Sequence, residues 1–289
     1  MPVEDLADVA KGQPGCPWAS VVFDIVEQPN DLAPPNVPEF WFASPPALPN
    51  QSGINRFVWD LHYPAPTALP YGYFGERLKY TEYTVPDHAV LNHTPRLQPP
   101  GPLAVPGTYD LVFTREGKSF KQKLQVPPDP RIHLTAEDYA AQLSLSRSIA
   151  SFMEDTARSF NAVIALDSEF DARKKALAAN SSKELTDAFA NFEQRLQALE
   201  DGTPQARGFG VLNRDFGHYL IMVQSGDWKP GDSAVRAVNE ACHDNVRRIA
   251  DWNKLNAELL PAFNQQLAAQ KFQALPAAAF TASAPSCTP

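Results

Sequence analysis

The sequence is short of the residues that usually announce a chemistry. Its three cysteines, Cys16, Cys242 and Cys287, are spread over 289 residues, so there is no CxxC pair to hold zinc or cycle between thiol and disulfide. They read as free thiols, with a Cys16–Cys287 bridge as the alternative if the termini meet. The six histidines, His62, His88, His93, His133, His218 and His243, are equally scattered. No apolar run approaches the ~20 residues needed to span a bilayer. The start, Met1-Pro2-Val3-Glu4-Asp5-Leu6, has neither the basic residues nor the apolar stretch of an export signal. Basic residues are in deficit, 25 against 33 acidic ones for a net charge of −8, which argues against a protein that tracks nucleic-acid phosphates. Phosphate-binding glycine loops and the GxSxG nucleophile elbow are also missing. No cofactor and no metal ion is expected.

Proline, in contrast, is abundant and unevenly placed. Of 28 prolines, 22 fall in residues 1–131 and only six in the rest. Proline removes a backbone donor and breaks helices, so the first part cannot be mainly helical. Its strand signals are Ser20–Glu27, a β-branched run, and Ile54–Tyr63, where Phe57, Trp59 and Leu61 alternate onto a core face. A hairpin signal follows: Thr108–Thr114, a turn at Arg115-Glu116-Gly117-Lys118, and Ser119–Val126. The expectation is an α+β chain: an N-terminal extension (1–17), an antiparallel β-sandwich with long loops (18–130) and an antiparallel helical bundle (134–272). Residues 273–289, small and proline-dotted, are expected to be disordered.

The helical part opens at Thr135, with Asp138 in capping-box position. Apolar residues from Tyr139 to Phe170 then recur at three- and four-residue steps. Further helices are expected at Leu185–Leu199, Leu212–Val223 and Val235–Leu267, the last kinked near Leu260 by Pro261. Short loops between such helices favour a four-helix up-down bundle. Glu154, Asp155, Asp167 and Glu169 lie near Arg158, Arg173 and Lys174 and read as a solvated face with ion pairs. Trp59 and Trp252 read as core. The loop aromatics Trp41, Phe42, Tyr71, Tyr73, Phe74, Tyr80 and Tyr83 either pack their loops onto the first domain or form a surface for a glycan or protein partner.

Five segments carry a resemblance. Gly53-Ile54-Asn55-Arg56-Phe57-Val58-Trp59-Asp60-Leu61-His62-Tyr63-Pro64 resembles a strand that follows the propeller in bacterial BNR/sortilin-type β-propeller proteins, sialidase-like glycosyl hydrolases by their usual label. Gly101-Pro102-Leu103-Ala104-Val105-Pro106-Gly107-Thr108-Tyr109 is similar to that family's hairpin entrance. Asp129-Pro130-Arg131 with Thr135-Ala136-Glu137-Asp138 resembles its junction into C-terminal helices, and Leu212–Asp227 and Leu260–Asn264 its last two helices. His62 stands where the family usually has arginine, and no Asp-box repeat of a propeller occurs. The resemblance implies a non-catalytic accessory module that is not itself an enzyme. It would bind a β-propeller protein or a glycan in an extracytoplasmic setting. The alternative it implies is a sialidase-like hydrolase component whose catalytic propeller is on another chain.

Overall fold

The computed structural model describes residues 53–69, 84–85, 88–89, 99–115, 117–176, 182–277 and 282–287. The β-structure within them is limited to two-stranded antiparallel units. Strands β1 (Thr84–Val85) and β2 (His88–Ala89) pair over two residues. Strands β3 (Gly107–Arg115) and β4 (Lys118–Val126) form a nine-residue hairpin with Thr114 opposite Ser119. Gly117 supplies the left-handed turn residue, φ +75°, that a tight hairpin needs.

Helix α1 (Ala136–Lys175) runs for 40 residues, about 60 Å at 1.5 Å per residue. Thr135 Oγ1 accepts the Asp138 amide at 3.2 Å, and the Asp138 carboxylate accepts the Thr135 amide at 3.1 Å. This is the reciprocal capping box, and Arg173, Lys174 and Lys175 complement the dipole at the other end. Helix α2 (Lys183–Glu200) is capped by Ser182 Oγ, which accepts the Leu185 amide. The short strands β5 (Gly202–Thr203) and β6 (Ala206–Arg207) separate it from α3 (Phe209–Val223). Gly202, at φ +98°, and Gly208 pinch together here: a Cβ on Gly202 would lie 2.5 Å from the Gly208 nitrogen. Helix α4 (Asp232–Lys254) passes through a π-turn, Leu255–Leu259, into α5 (Leu260–Ala269).

Side-chain contacts give the helix directions. Phe170 near the end of α1 meets Phe189 and Phe192 of α2. Phe152 meets Phe216 of α3 at 5.3 Å, and Gln142 donates to the Val223 carbonyl. The partners on α1 step back from 170 to 142, so α2 and α3 both descend and form one rod interrupted by β5–β6. Lys229, just before α4, lies 3.9 Å from Asp138, and Phe263 of α5 lies 5.9 Å from Phe170. The α4–π–α5 rod therefore rises beside α1. The helices expected from the sequence are thus stacked as three rods. One core cluster, with Leu145, Ile149, Phe216, Leu220 and Cys242, fills the end where α1 begins. A larger one, with Phe170, Phe192, Trp252 and Phe263, fills the other. Phe192 and Phe263 stack at 4.6 Å, a ring geometry worth ~0.5–1.5 kcal/mol beyond area burial.

The expected β-sandwich is not the fold. Among the described residues no second sheet faces the β3–β4 hairpin. The segment expected as the strand Ile54–Tyr63 makes only an isolated bridge, His62 to Leu103. Leu61 sits at φ +66°, which an extended strand does not allow, and Pro64 and Pro66 remove donors that a ladder would need. Trp59 is consequently half-buried rather than core, whereas Trp252 is fully buried. Pro261 falls at the junction of the π-turn and α5. The Leu260 amide donates to Leu255 five residues back, and this widened turn accommodates the proline ring directly after it.

After α5 the described residues 271–277 and 282–287 are tied to the rods by contacts that have no local signal in the sequence. After α5, Lys271 adopts φ +62°. The Phe272 amide donates to Leu267 and the Lys271 amide to Ala268, the two bonds of a Schellman motif. The chain then runs back along the rod. Asn264 exchanges two hydrogen bonds with the Leu275 backbone, at 3.0 and 2.7 Å. Asn253 does the same with Ala282, at 2.9 and 3.1 Å. Cys242 and Cys287 form a disulfide across 45 residues, for which the chain-entropy model gives ~4 kcal/mol. So Cys242 and Cys287 are not free thiols, and Cys287 is not the partner of Cys16, which lies outside the described residues. Replacing Lys271 by glycine should raise stability by about 0.5–1 kcal/mol in urea unfolding, because glycine takes the left-handed conformation without the Cβ clash.

Candidate functional site

The best-defined surface feature is the β3–β4 hairpin and the strap that seats it on the bundle. The strap, residues 53–69, is held to the helices at several points. Arg147 of α1 lies over the Tyr63 ring at 4.7 Å, a cation–π contact. Glu154 accepts the Thr67 amide at 2.6 Å and its hydroxyl at 3.0 Å. Glu154 therefore clamps the strap instead of joining the expected ion-pair face. Asn213 of α3, fully buried, accepts the Leu69 amide at 2.8 Å and donates to the Thr67 and Met153 carbonyls, both at 2.9 Å.

The strap in turn holds the hairpin's lead-in. The Tyr63 amide donates to Pro102, and the Ala104 amide to Leu61. The fit is close at Gly101, where a Cβ would lie 1.7 Å from the Tyr63 carbonyl oxygen. The Leu103 amide donates to Gln224 at the end of α3. Trp59 packs edge-on against Tyr109 at 5.4 Å, and Tyr109 donates its hydroxyl to Val105. Burial, and next the neighbouring Tyr63, push the Tyr109 phenol above its ordinary value, so it remains the proton donor.

Beyond this base the hairpin is largely exposed. Alternation puts Tyr109, Leu111 and Phe113 of β3 on one face with Leu124, Gln122 and Phe120 of β4. Leu124 is half-buried and Tyr109 buried, whereas Leu111, Phe113 and Phe120 are 45%, 53% and 60% exposed. Phe113 and Phe120 are cross-strand partners with ring centroids 6.3 Å apart. Lys118 and Lys121 are exposed on β4, and Lys123 pairs with Asp110 at 2.8 Å. In a chain with net charge −8 the hairpin is thus an apolar finger with a basic strand.

The clefts are poor sites for chemistry. One, between Val105–Pro106 and the start of α1, holds about 20 Å³, room for about one water. The buried Tyr139 hydroxyl and Ser146 hydroxyl border it without a protein partner. A wider groove of about 310 Å³ between the end of α2 and the β5–β6 turn is open and lined by Gln194, Gln197 and Thr203. Among the described residues no three His, Cys, Asp or Glu side chains come together as a metal site, and no helix is long and apolar enough to cross a membrane.

The main cluster of charges is structural in its geometry. Arg207 of β6 donates to Asp244 of α4 at 2.7 Å and to Asp215 of α3 at 3.2 Å. Arg214 and Arg247 supply the remaining donors. Burial would raise the Asp244 carboxyl, but hydrogen bonds from Arg247 and Arg207 outweigh it and hold it below the ordinary range. A carboxylate so held is a poor proton donor near neutral pH. Asp155 is pushed upward, by burial first and with Glu154 adding, but it lines neither cleft.

The loop aromatics proposed from the sequence, Trp41, Phe42, Tyr71, Tyr73, Phe74, Tyr80 and Tyr83, all lie outside the described residues. In the sequence the hairpin shows as two strands around a tight turn, and the exposure of Leu111, Phe113 and Phe120 has no signal there. The strap clamps Asn213 and Glu154 carried no local signal at all. Comparisons with protein families, with characterised proteins and with solved structures find no match for this chain.

Proposed function

We propose that the chain is a non-catalytic accessory module that binds a protein partner through the β3–β4 hairpin. The carrying observation is the exposed apolar trio Leu111, Phe113 and Phe120 on a hairpin anchored at its base by Trp59, Tyr109 and Gln224. Large exposed aromatics in a fixed geometry act as interface anchors at low entropic cost. The lysines of β4 favour a partner with an apolar centre and an acidic rim, and disfavour pairing of the hairpin with a second copy of itself. The resemblance to the region after a BNR/sortilin-type propeller supports a propeller-bearing protein as that partner. The Cys242–Cys287 disulfide fits the extracytoplasmic setting that the resemblance implies.

The test compares the full chain with a Phe113→Ser/Phe120→Ser variant. Both rings are solvent-exposed, so the variant should keep its helical signal and melting temperature. Binding to a purified BNR/sortilin-type propeller protein from the same source should weaken roughly thirtyfold, the effect of losing a ~2 kcal/mol hot spot. Equal binding by both chains would overturn the reading. So would glycan binding in an array, with no propeller binding.

A further inference from the structure

We propose that Cys242–Cys287 is a redox latch on the tail: reduction releases residues 271–277 and 282–287 from the α4–α5 rod and uncovers an apolar groove, while the three rods stay folded. The inference does not depend on the hairpin's binding role.

The tail is attached like a strap with three rungs. Asn264 holds Leu275, Asn253 holds Ala282, and Cys242 holds Cys287. Cys242 and Asn253 are eleven residues apart on α4, three helical turns, which puts them on one face, and Asn264 follows beyond the π-turn. The asparagines bond only backbone atoms, so they fix where the tail lies but add little to hold a chain end that would otherwise fray. The disulfide differs in kind. It pins the far end of the tail and closes a loop around the other two rungs, and so raises their effective concentration. Once it is cut, the two asparagine pairs and the Arg173 contact to the Ala274 carbonyl are exchangeable hydrogen bonds.

The tail contributes Leu275 and Ala282 to the larger core cluster, with Phe272 packed against it. The rest of that cluster comes mainly from the helices, and Cys242 belongs to the other cluster. Losing the strap therefore opens one side of the α4–α5 rod beside Phe263 and Leu267 and leaves the rods their own contacts.

The reductant required is a dithiol. Cys242 is fully buried and Cys287 is partly exposed, so the attacking thiolate reaches Cys287 Sγ. A mixed disulfide forms, the Cys242 thiolate leaves and takes a proton. The second thiol of the reductant then displaces Cys287 as a thiol. Two electrons and two protons pass to the protein, and the dithiol becomes a cyclic disulfide.

The experiment uses the full chain, oxidised or treated with dithiothreitol. Alkylation after denaturation should find one thiol in the oxidised chain and three after reduction. In the folded protein, tryptic cleavage at Lys271 should speed up roughly tenfold on reduction, as the tail shifts to an open state. The far-UV helical signal should stay within error, and binding of an apolar dye should rise. Cys287→Ser should reproduce the reduced state without reductant, and adding Asn253→Ala should accelerate cleavage further. Three alkylated cysteines without reduction would overturn the proposal. Equal cleavage rates would do so too, as would a helical signal that collapses together with tail release.

Discussion

Replacing Asn213 with alanine is expected to destabilise the chain by about 3–4 kcal/mol and to free the strap from the bundle. The side chain is 1% exposed and uses both ends of its amide. Alanine leaves the Leu69 amide without an acceptor in a buried position, and an unsatisfied buried donor costs ~1–3 kcal/mol. The bonds to the Thr67 and Met153 carbonyls add ~1 kcal/mol each, less whatever Thr156 recovers for Met153. Urea unfolding reads the loss. Amide exchange at Leu69 and Ala68 should rise well beyond the global effect, because the clamp nearest to them is then gone. Asn213→Asp separates this account from simple loss of packing. It preserves the acceptor for Leu69 but turns an oxygen toward the two carbonyls, so it should be at least as damaging as alanine. A mild Asn213→Asp phenotype would show that the donor half of the amide matters little.

Asn213, Asn253 and Asn264 perform the same operation, and this explains what could be read in advance. Each lies on a helix face and grips an extended segment by its backbone. In sequence such an asparagine resembles any surface polar residue, because its partner is a peptide group that every residue has. The helices were legible since their signals are local: the Thr135/Asp138 box and the Tyr139–Phe170 stripe. The hairpin was legible for the same reason, with Gly117 at its turn. The alternation in Ile54–Tyr63 was equally clear, yet it describes a strand only if a neighbour supplies a ladder. Prolines flanking that segment and the left-handed Leu61 leave it as a strap. Direction was lost where α2 and α3 run the same way, since a tight β5–β6 turn looks in sequence like a reversal. The disulfide is a matter of where the tail goes, which no local signal fixes.

Arg207→Met should lower stability by about 2–3 kcal/mol at pH 7, with a penalty that shrinks in acid. Arg207 bolts the break in the descending rod to α4, since it stands in β6 and bridges Asp215 and Asp244. Removing one partner of a buried pair costs ~3–5 kcal/mol. Arg207 is about a quarter exposed, and Arg214 and Arg247 still face the two carboxylates, so the lower figure is expected. In the native chain the Asp244 carboxyl titrates below its ordinary value of 3.8. Its stabilisation is thus complete above that value and is lost as pH falls through the lower, folded one. In the variant, burial acts with less opposition and the carboxyl shifts upward. The charge that methionine strands at pH 7 is then neutralised on acidification, so the deficit should be smaller at pH 4 and close only below the lowered native value of Asp244. Arg207→Met combined with Asp244→Asn should recover part of the loss at pH 7, because no charge at that position is left unpaired. Denaturant unfolding of the three chains at pH 7 and pH 4 reads both effects, and a deficit equal at the two pH values would mean that Arg207 acts through packing of its stem rather than through its charge.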